Sequence, residues 1–326
     1  MKISFDEFAE RFDPSLCDGN YGGRMVLSSL ADWVEWAALA SAVLPWPTTV
    51  DAIEDALGWD TYQSKLTGER FSDELPIPLG DALRNVIEDR ARVLGWRYPF
   101  RFDDRGQLQL RADRDVKKSA YIALLQISLL KSWADFDNAA FQACTKLLEH
   151  IAAEAFRRTG CDSAIVGTSV NGGGFEAKLE KIAEELAVRV DSASAAHSKA
   201  AKDERVDVVA GRFFRDGRKG EVFILVQATC AKNEQWESKL SCIPLSRWRS
   251  YFLEQFSPIG FLAVPYHVSD EDAALLTSLG GGRSFLDRTR LVLMLNGELE
   301  TLDVAGCDLL KQVRSFSSQH LKMLLE

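Results

Sequence analysis

Four short, almost uninterrupted apolar runs in the second half of the chain constrain the fold more than any other feature. They are Val206–Ala210, Val222–Gln227, Gly260–Tyr266 and Arg290–Leu295. Each run is shorter than a typical helix, and the runs are rich in β-branched residues, which favours strands. Strands that are apolar on both sides belong in a sheet that is covered on both faces. The runs therefore predict an α/β fold with a mixed central sheet flanked by helices.

Helical patterns dominate the first 135 residues. The segment Met25–Val43 is apolar and rich in alanine, and Asp81–Leu94 carries an apolar stripe at helical spacing. Alternating flanks around Asp103–Gly106 predict a small β-hairpin. Further helices are predicted at residues 116–133, 135–158, 175–186 and 308–325. We therefore predict a mainly helical N-terminal region over residues 1–135 and an α/β domain over residues 136–326.

Composition excludes several classes of protein. Hydrophobic residues make up 46% and charged residues 27% of the chain, which is ordinary for a soluble globular protein. No apolar run is long enough to cross a bilayer, and the first ten residues lack the basic and apolar segments of a secretory signal. The six cysteines and four histidines are scattered, without a CxxC pair or zinc-ligand spacing. We therefore expect a cytoplasmic protein without membrane contacts, zinc or a disulfide framework.

The charge is distributed unevenly along the chain. The formal net charge is −9, which argues against a surface that attracts nucleic acid everywhere. Residues 1–75 hold 5 basic and 14 acidic side chains, whereas residues 196–250 hold 11 basic and 7 acidic ones. A polyanionic ligand would be drawn to the second segment and repelled by the first. Ordinary solvated surfaces would show the same counts, so both interpretations remain open.

One acidic residue interrupts the apolar strands. Asp207 lies within the first run, where a lone carboxylate is costly unless it is paired or binds a metal ion. Twenty residues later, Gln227 ends the second run. An acid and an amide oxygen at the ends of two neighbouring strands suit a hard divalent cation. The alternative is a structural acid that pairs with Arg205 or Arg212.

These residues resemble the PD-(D/E)XK nuclease superfamily, in particular its Mrr-type restriction-endonuclease branch. Phe175–Glu176 opens a predicted helix, Lys202–Ala210 carries the strand aspartate, and Ile224–Gln227 ends the next strand. The superfamily pattern is a helix acid, a strand aspartate, and a glutamate or glutamine followed two residues later by lysine. The resemblance covers about residues 170–240, and more loosely 140–300.

The resemblance implies a metal-dependent nuclease with a restriction-endonuclease-like fold. By this resemblance Asp207 and Gln227 bind Mg²⁺ or Mn²⁺, and Glu176 supports the same site. The chain departs from the pattern at Thr229, where the superfamily has its lysine. Lys232, or alternatively Lys202, is then the candidate for the missing cation, although Lys232 is equally consistent with an ordinary surface lysine. Glu176 is also explained by the preference for acids in the first turn of a helix.

The expected partner is nucleic acid, with DNA favoured over RNA. Basic residues near the two strands are candidates to contact its phosphates; they are Lys202, Arg205, Arg212, Arg215 and Arg218. A nuclease that endangers its own cell suggests control by a partner such as a helicase or sensor subunit, and cutting of both strands suggests a homo-oligomer. Antiphage defence follows from family analogy alone. The alternative function, favoured by Thr229, is an inactive nuclease fold that binds nucleic acid or serves as a scaffold subunit of a complex.

Overall fold

The computed structural model describes most of the chain. The described residues are 23–41, 43–44, 50–51, 78–131, 138–166, 175–191, 205–216, 218, 221–231, 235–253 and 257–325. Within these residues, no helix combines the length and the apolar character needed to cross a membrane.

Helices and strands alternate through the described chain. In order, the helices are α1 (Gly23–Ser41), α2 (Leu79–Leu94), α3 (Ala120–Lys131), α4 (Asn138–Arg158), α5 (Phe175–Leu186), α6 (Trp236–Ser241), α7 (Leu245–Ser250), α8 (Asp270–Ser278), α9 (Arg288–Met294) and α10 (Val304–Leu325). The strands are β1 (Val43–Leu44), β2 (Phe100–Phe102), β3 (Leu108–Leu110), β4 (Asp162–Ile165), β5 (Val208–Arg212), β6 (Val222–Ala228), β7 (Ile259–Ala263) and β8 (Arg283–Leu286). The predicted N-terminal helices and the β2–β3 hairpin are confirmed.

A five-stranded sheet forms the centre of the fold, in the order β4-β5-β6-β7-β8. Strands β4, β5 and β6 pair antiparallel, and β6, β7 and β8 pair parallel. The sheet is therefore mixed, as predicted. A second sheet, in the order β1-β3-β2, belongs to the N-terminal region.

Both faces of the five-stranded sheet are covered, which confirms the prediction from the apolar runs. Successive residues of a strand point to opposite faces. One face contributes to a first core, which includes Val208, Ala210, Val226 and Ala263 together with residues of α1 to α4, α9 and α10. The other face contributes to a second core, which includes Val209, Phe223, Leu225 and Leu262 together with residues of α5, α6, α7 and α8. Described residues on both sides of residue 135 share the first core, and the domain boundary itself stays a prediction.

A buried ionic network crosses the first core. Asp32 and Glu35 on α1 face Arg90 on α2 and Arg288 on α9, and all four side chains are almost completely buried. Arg90 Nη1 donates to Glu35 Oε1 at 2.7 Å, and Arg288 Nη2 donates to Asp32 Oδ2 at 2.6 Å. Two acids and two bases balance, which is the condition under which charges are tolerated in an interior.

One predicted strand was wrong. Arg290–Leu295 lies in helix α9 and the turn that follows it, because Asp287 caps that helix by accepting a hydrogen bond from the Arg290 amide at 2.9 Å. The run carries no polar stripe, because even its exposed position Leu293 is apolar, so its periodicity gave no indication of its type. The sheet instead gains β4 and β8, which the sequence analysis did not identify.

Candidate metal site

Asp207 and Gln227 meet at one end of the β5–β6 hairpin. The last register pair of these antiparallel strands is Val208 with Val226, and the next position on each strand is Asp207 and Gln227. The amide of Asp207 donates to the carbonyl oxygen of Val226 at 2.8 Å, and its Oδ2 accepts from the amide of Ala228 at 2.7 Å. Asp207 therefore bonds to the residues on both sides of Gln227, which holds the two side chains next to one another.

The two side chains share a face of the sheet. Residues that are paired across neighbouring strands point to the same face. The amide of Val166 donates to the carbonyl oxygen of Asp207 at 2.8 Å and extends the β4–β5 ladder by one pair. Gln227 pairs with Leu262 of β7. Because Val166 and Leu262 both belong to the second core, Asp207 and Gln227 both face that side.

The side-chain oxygen of Gln227 is buried and, among the described residues, accepts no hydrogen bond. A buried acceptor without a partner costs about 1–3 kcal/mol, so such atoms call for an explanation. Asp207 occupies the paired position on the neighbouring strand, and carboxylate and amide oxygens are ligands that hard divalent cations prefer. The residues present therefore fit Mg²⁺ or Mn²⁺, and a bound cation would satisfy the Gln227 oxygen.

Helix α5 covers the same face of the sheet and carries the predicted auxiliary acid, Glu176, in its first turn. Phe175, its first residue, is buried in the second core, whereas Glu176 is exposed in the first turn. Across the described ranges, no three side chains of the types His, Cys, Asp and Glu are grouped so that they could hold an ion. The cluster seen is thus one carboxylate and one amide, and participation of Glu176 stays a prediction.

Thr229 stands on the same strand face, two residues after Gln227. Its side chain is 6% exposed, and its hydroxyl accepts from the amide of Ala231 at 3.1 Å. A threonine in this position supplies no positive charge. The predicted replacements, Lys232 and Lys202, both lie outside the described residues.

Two aromatic residues hold the chain just beyond Thr229. The hydroxyl of Tyr266 donates to the carbonyl oxygen of Cys230 at 2.8 Å, and Trp236 Nε1 donates to the carbonyl oxygen of Ala231 at 2.9 Å. The two rings pack with centroids 5.9 Å apart. This role of Tyr266 and Trp236 is not visible in the sequence, because neither their type nor their spacing carries a signal for such an anchor.

The candidate cations for nucleic-acid binding occupy two ends of the hairpin. Arg205 is exposed next to Asp207, and it adopts a positive φ of 57°. Arg212 is the last residue of β5. It lies five residues after Asp207, a span of about 16 Å along an extended strand. There Arg212 donates to the carbonyl oxygen of Gly160, and Arg215 pairs with Asp162 at 3.3 Å. Arg218 is exposed beyond them in the same turn. The structure thus brings Arg205 to the Asp207 end and leaves the other three at the opposite end of the sheet.

Comparison with known proteins adds one structural likeness. No protein-family model matches the sequence, and no curated protein matches it significantly. A solved structure of the MspJI restriction endonuclease in complex with a 27-mer oligonucleotide is similar at 16% sequence identity, with a TM-score of 0.33. The match covers 63% of this chain and 38% of that protein's chain. A TM-score of 0.33 is too low to establish common descent, so the superfamily relationship remains a resemblance in sequence motif.

Proposed function

We propose that the chain is a metal-dependent nuclease that hydrolyses phosphodiester bonds, with DNA favoured over RNA. The observation that supports this most is the unpartnered, buried oxygen of Gln227 beside the carboxylate of Asp207. Two oxygen ligands on one face at the end of a sheet match the order of the strand aspartate and the following glutamine in the PD-(D/E)XK pattern stated above, from which the chain departs at Thr229. A divalent ion at this position would supply positive charge against the scissile phosphate and activate the attacking water.

The roles of the protein side chains follow from this placement. Asp207 and Gln227 hold the ion, and Glu176 in the first turn of α5 supports the same site. Lys232, with Lys202 as the alternative, supplies the cation near the reacting phosphate that Thr229 does not. Arg205, next to Asp207, holds the phosphate backbone near the site, and Arg212, Arg215 and Arg218 contact it farther along.

The proposal extends to how the activity is controlled. The acidic segment over residues 1–75 would repel a polyanion, so we propose that a partner such as a helicase or sensor subunit engages it and restrains cleavage. Cleavage of both strands usually requires two active sites, and we propose that a homo-oligomer provides them. Antiphage defence is the proposed setting.

The test is incubation of the purified chain with plasmid and with single-stranded DNA and RNA, in Mg²⁺, in Mn²⁺ and in chelator. We expect cleavage in either ion, none in chelator, and none for Asp207→Ala. The matched control is Asp308→Ala, because Asp308 is an exposed aspartate on α10, a helix that packs in the first core and not on the face of Asp207. This variant should cleave like the parent protein.

A measurement independent of activity accompanies this assay. We expect Mn²⁺ to bind the parent protein and Asp308→Ala in a calorimetric titration, and not to bind Asp207→Ala. Cleavage that persists in Asp207→Ala would point to a contaminating nuclease. If the parent protein neither binds Mn²⁺ nor cleaves nucleic acid, the scaffold function replaces this proposal.

A further inference from the structure

An exposed tryptophan at the open end of the β2–β3 hairpin is surrounded by guanidinium groups. Trp96 and Arg97 lie in a short 3₁₀ turn just before β2, and Arg111 and Arg114 follow β3. The strands pair antiparallel, and the amide of Arg111 donates to the carbonyl oxygen of Pro99 at 2.8 Å. The hairpin therefore brings the two segments together, and we call these four residues the Trp96 cluster.

Two arginines of the cluster stack on the same ring. The Cζ atoms of Arg97 and Arg114 each lie 4.8 Å from the centroid of the Trp96 ring, and Trp96 is 39% exposed. A guanidinium that stacks on an aromatic face keeps its N–H edges directed outward, where they match the oxygens of a phosphate. The stacking therefore orders two planar cations at the surface and leaves donors for a ligand.

The Arg97 guanidinium is oriented without being neutralised. Its Nε and Nη2 both donate to Oδ1 of Asn296, at 3.1 and 2.8 Å. Asn296 is uncharged, and within the part of the chain that the structure describes no carboxylate forms an ion pair with Arg97. The full positive charge is thus available to a ligand.

Acidic side chains only partly balance the rest of the cluster. Arg111 donates to Asp113 at 3.2 and 3.0 Å, and Arg114 Nη2 contacts the same carboxylate at 3.5 Å. The described cluster therefore sets three guanidinium groups against one carboxylate. Residues 96–118 hold seven basic and four acidic side chains in a chain whose net charge is −9. This local excess of positive charge attracts a polyanion.

We propose that the Trp96 cluster binds the phosphate backbone of nucleic acid. Repeated phosphates match several ordered guanidiniums, whose N–H groups donate to phosphate oxygens. Asn296 follows α9, which packs in the first core, whereas Asp207 and Gln227 face the second core. The cluster is therefore a second contact surface, located in the predicted N-terminal region. Binding at this surface does not require cleavage at Asp207.

The experiment measures binding without cleavage. An Asp207→Asn background in chelator is titrated into fluorescein-labelled duplex and single-stranded DNA, and fluorescence anisotropy is recorded at several salt concentrations. We expect Arg97→Glu/Arg114→Glu to raise Kd at least about tenfold. We also expect the slope of log K against log salt concentration to become less steep, by the amount that corresponds to the loss of about two phosphate contacts.

Two further variants separate the cluster from net charge and from folding. Lys181→Glu/Arg249→Glu makes the same change in net charge at two exposed positions on α5 and α7, and it should leave Kd within about twofold. Arg97→Lys/Arg114→Lys keeps the charge and loses the planar fork, so the salt slope should persist while affinity falls moderately. Thermal unfolding of each variant shows that it is folded.

Several outcomes would overturn this inference. One is an equal loss of affinity in the Lys181→Glu/Arg249→Glu protein, which would assign the effect to net charge. A second is unchanged binding by Arg97→Glu/Arg114→Glu, even if the parent protein cleaves DNA through Asp207. A third is the absence of nucleic-acid binding together with binding of an acidic polypeptide such as polyglutamate, which would indicate a protein partner. Loss of cleavage in Asp207→Ala tests the proposed nuclease separately.

Discussion

The guanidinium of Arg288 donates to both carboxylate oxygens of Asp32, at 2.8 and 2.6 Å, although 256 residues separate the two in sequence. Both side chains are buried, and Arg288 also donates to the carbonyl oxygen of Pro265 at 2.9 Å, immediately after β7. This ion pair joins the first described helix to the end of the central sheet.

Removal of one partner of this pair should destabilise the protein strongly. Arg288→Met leaves the carboxylate of Asp32 buried with Arg90 alone, and such losses cost about 3–5 kcal/mol. The double variant Asp32→Leu/Arg288→Met removes both charges and keeps the Glu35–Arg90 pair balanced. We expect the double variant to be less destabilised than the sum of the two single variants, as measured by urea unfolding. Additive effects would contradict a direct interaction.

Stability should fall as the solution becomes mildly acidic. Burial lowers the pKa of His267 well below its usual 6.5, and the neighbouring Arg90 and Arg288 lower it further. In the unfolded chain this histidine takes up a proton as pH falls through about 6.5, whereas in the folded protein it stays neutral. Below about pH 6.5 the unfolded state therefore binds more protons than the folded state. The free energy of unfolding then decreases as the pH falls.

The variant His267→Gln tests this assignment. Glutamine does not titrate and retains hydrogen-bonding groups for Tyr121 and Thr289, which contact the imidazole at 3.2 and 2.8 Å. We expect Tm to depend less steeply on pH in this variant between about pH 5.5 and about pH 7.5. Burial also lowers the pKa of His150, so some dependence of the same sign should remain. Identical slopes in both proteins would exclude His267 as its source.

Substitutions at Asp207 should separate folding from metal binding. Asp207→Ala leaves the amide of Ala228 without its acceptor, which should cost about 1–2 kcal/mol. Asparagine keeps an oxygen in that position, so Asp207→Asn should unfold near the parent protein. Both variants should fail to bind Mn²⁺ in calorimetry. Retention of Mn²⁺ binding by Asp207→Asn would mean that the carboxylate is structural only.

Substitutions at Gln227 test the second ligand. Gln227→Glu adds a negative charge beside Asp207 and should tighten Mn²⁺ binding about tenfold, because affinity rises with ligand charge. Gln227→Leu removes the buried, unpartnered oxygen and should weaken binding at least about tenfold without destabilising the fold. Equal Mn²⁺ affinity in all three proteins would show that Gln227 is not a ligand.

The covered sheet could be predicted because its signal, a short run of apolar residues within each strand, is local in the sequence. The runs around Val208 and Leu225 are apolar on both sides, and the structure buries both sides. The same signal was wrong for Arg290–Leu295, because a short helix whose exposed position, Leu293, is also apolar has no polar stripe to reveal its period. Asp287 appears in the sequence as an acid just before the run, but its position alone does not distinguish the cap of a helix from the end of a strand.

The adjacency of Asp207 and Gln227 could be predicted for a related reason. They are twenty residues apart and are joined by a single hairpin, so their meeting depends only on the register of two strands. The unpartnered oxygen of Gln227 could not be predicted, because it depends on whether any other described residue places a hydrogen-bond donor near it. The Asp32–Arg288 pair could not be predicted either, since nothing in two charges so far apart specifies that they meet in an interior.

The charges buried across the first core also limit how the protein can be divided. A fragment that starts at residue 136 would retain Arg288 and discard both carboxylates that surround it, so the fragment would have to hydrate or expel a cation from its own hydrophobic centre. Expression of the C-terminal part alone would thus require replacement of Arg288 by an apolar residue such as methionine. Any regulation by the N-terminal helices would accordingly act on the central sheet through these buried ion pairs of the first core.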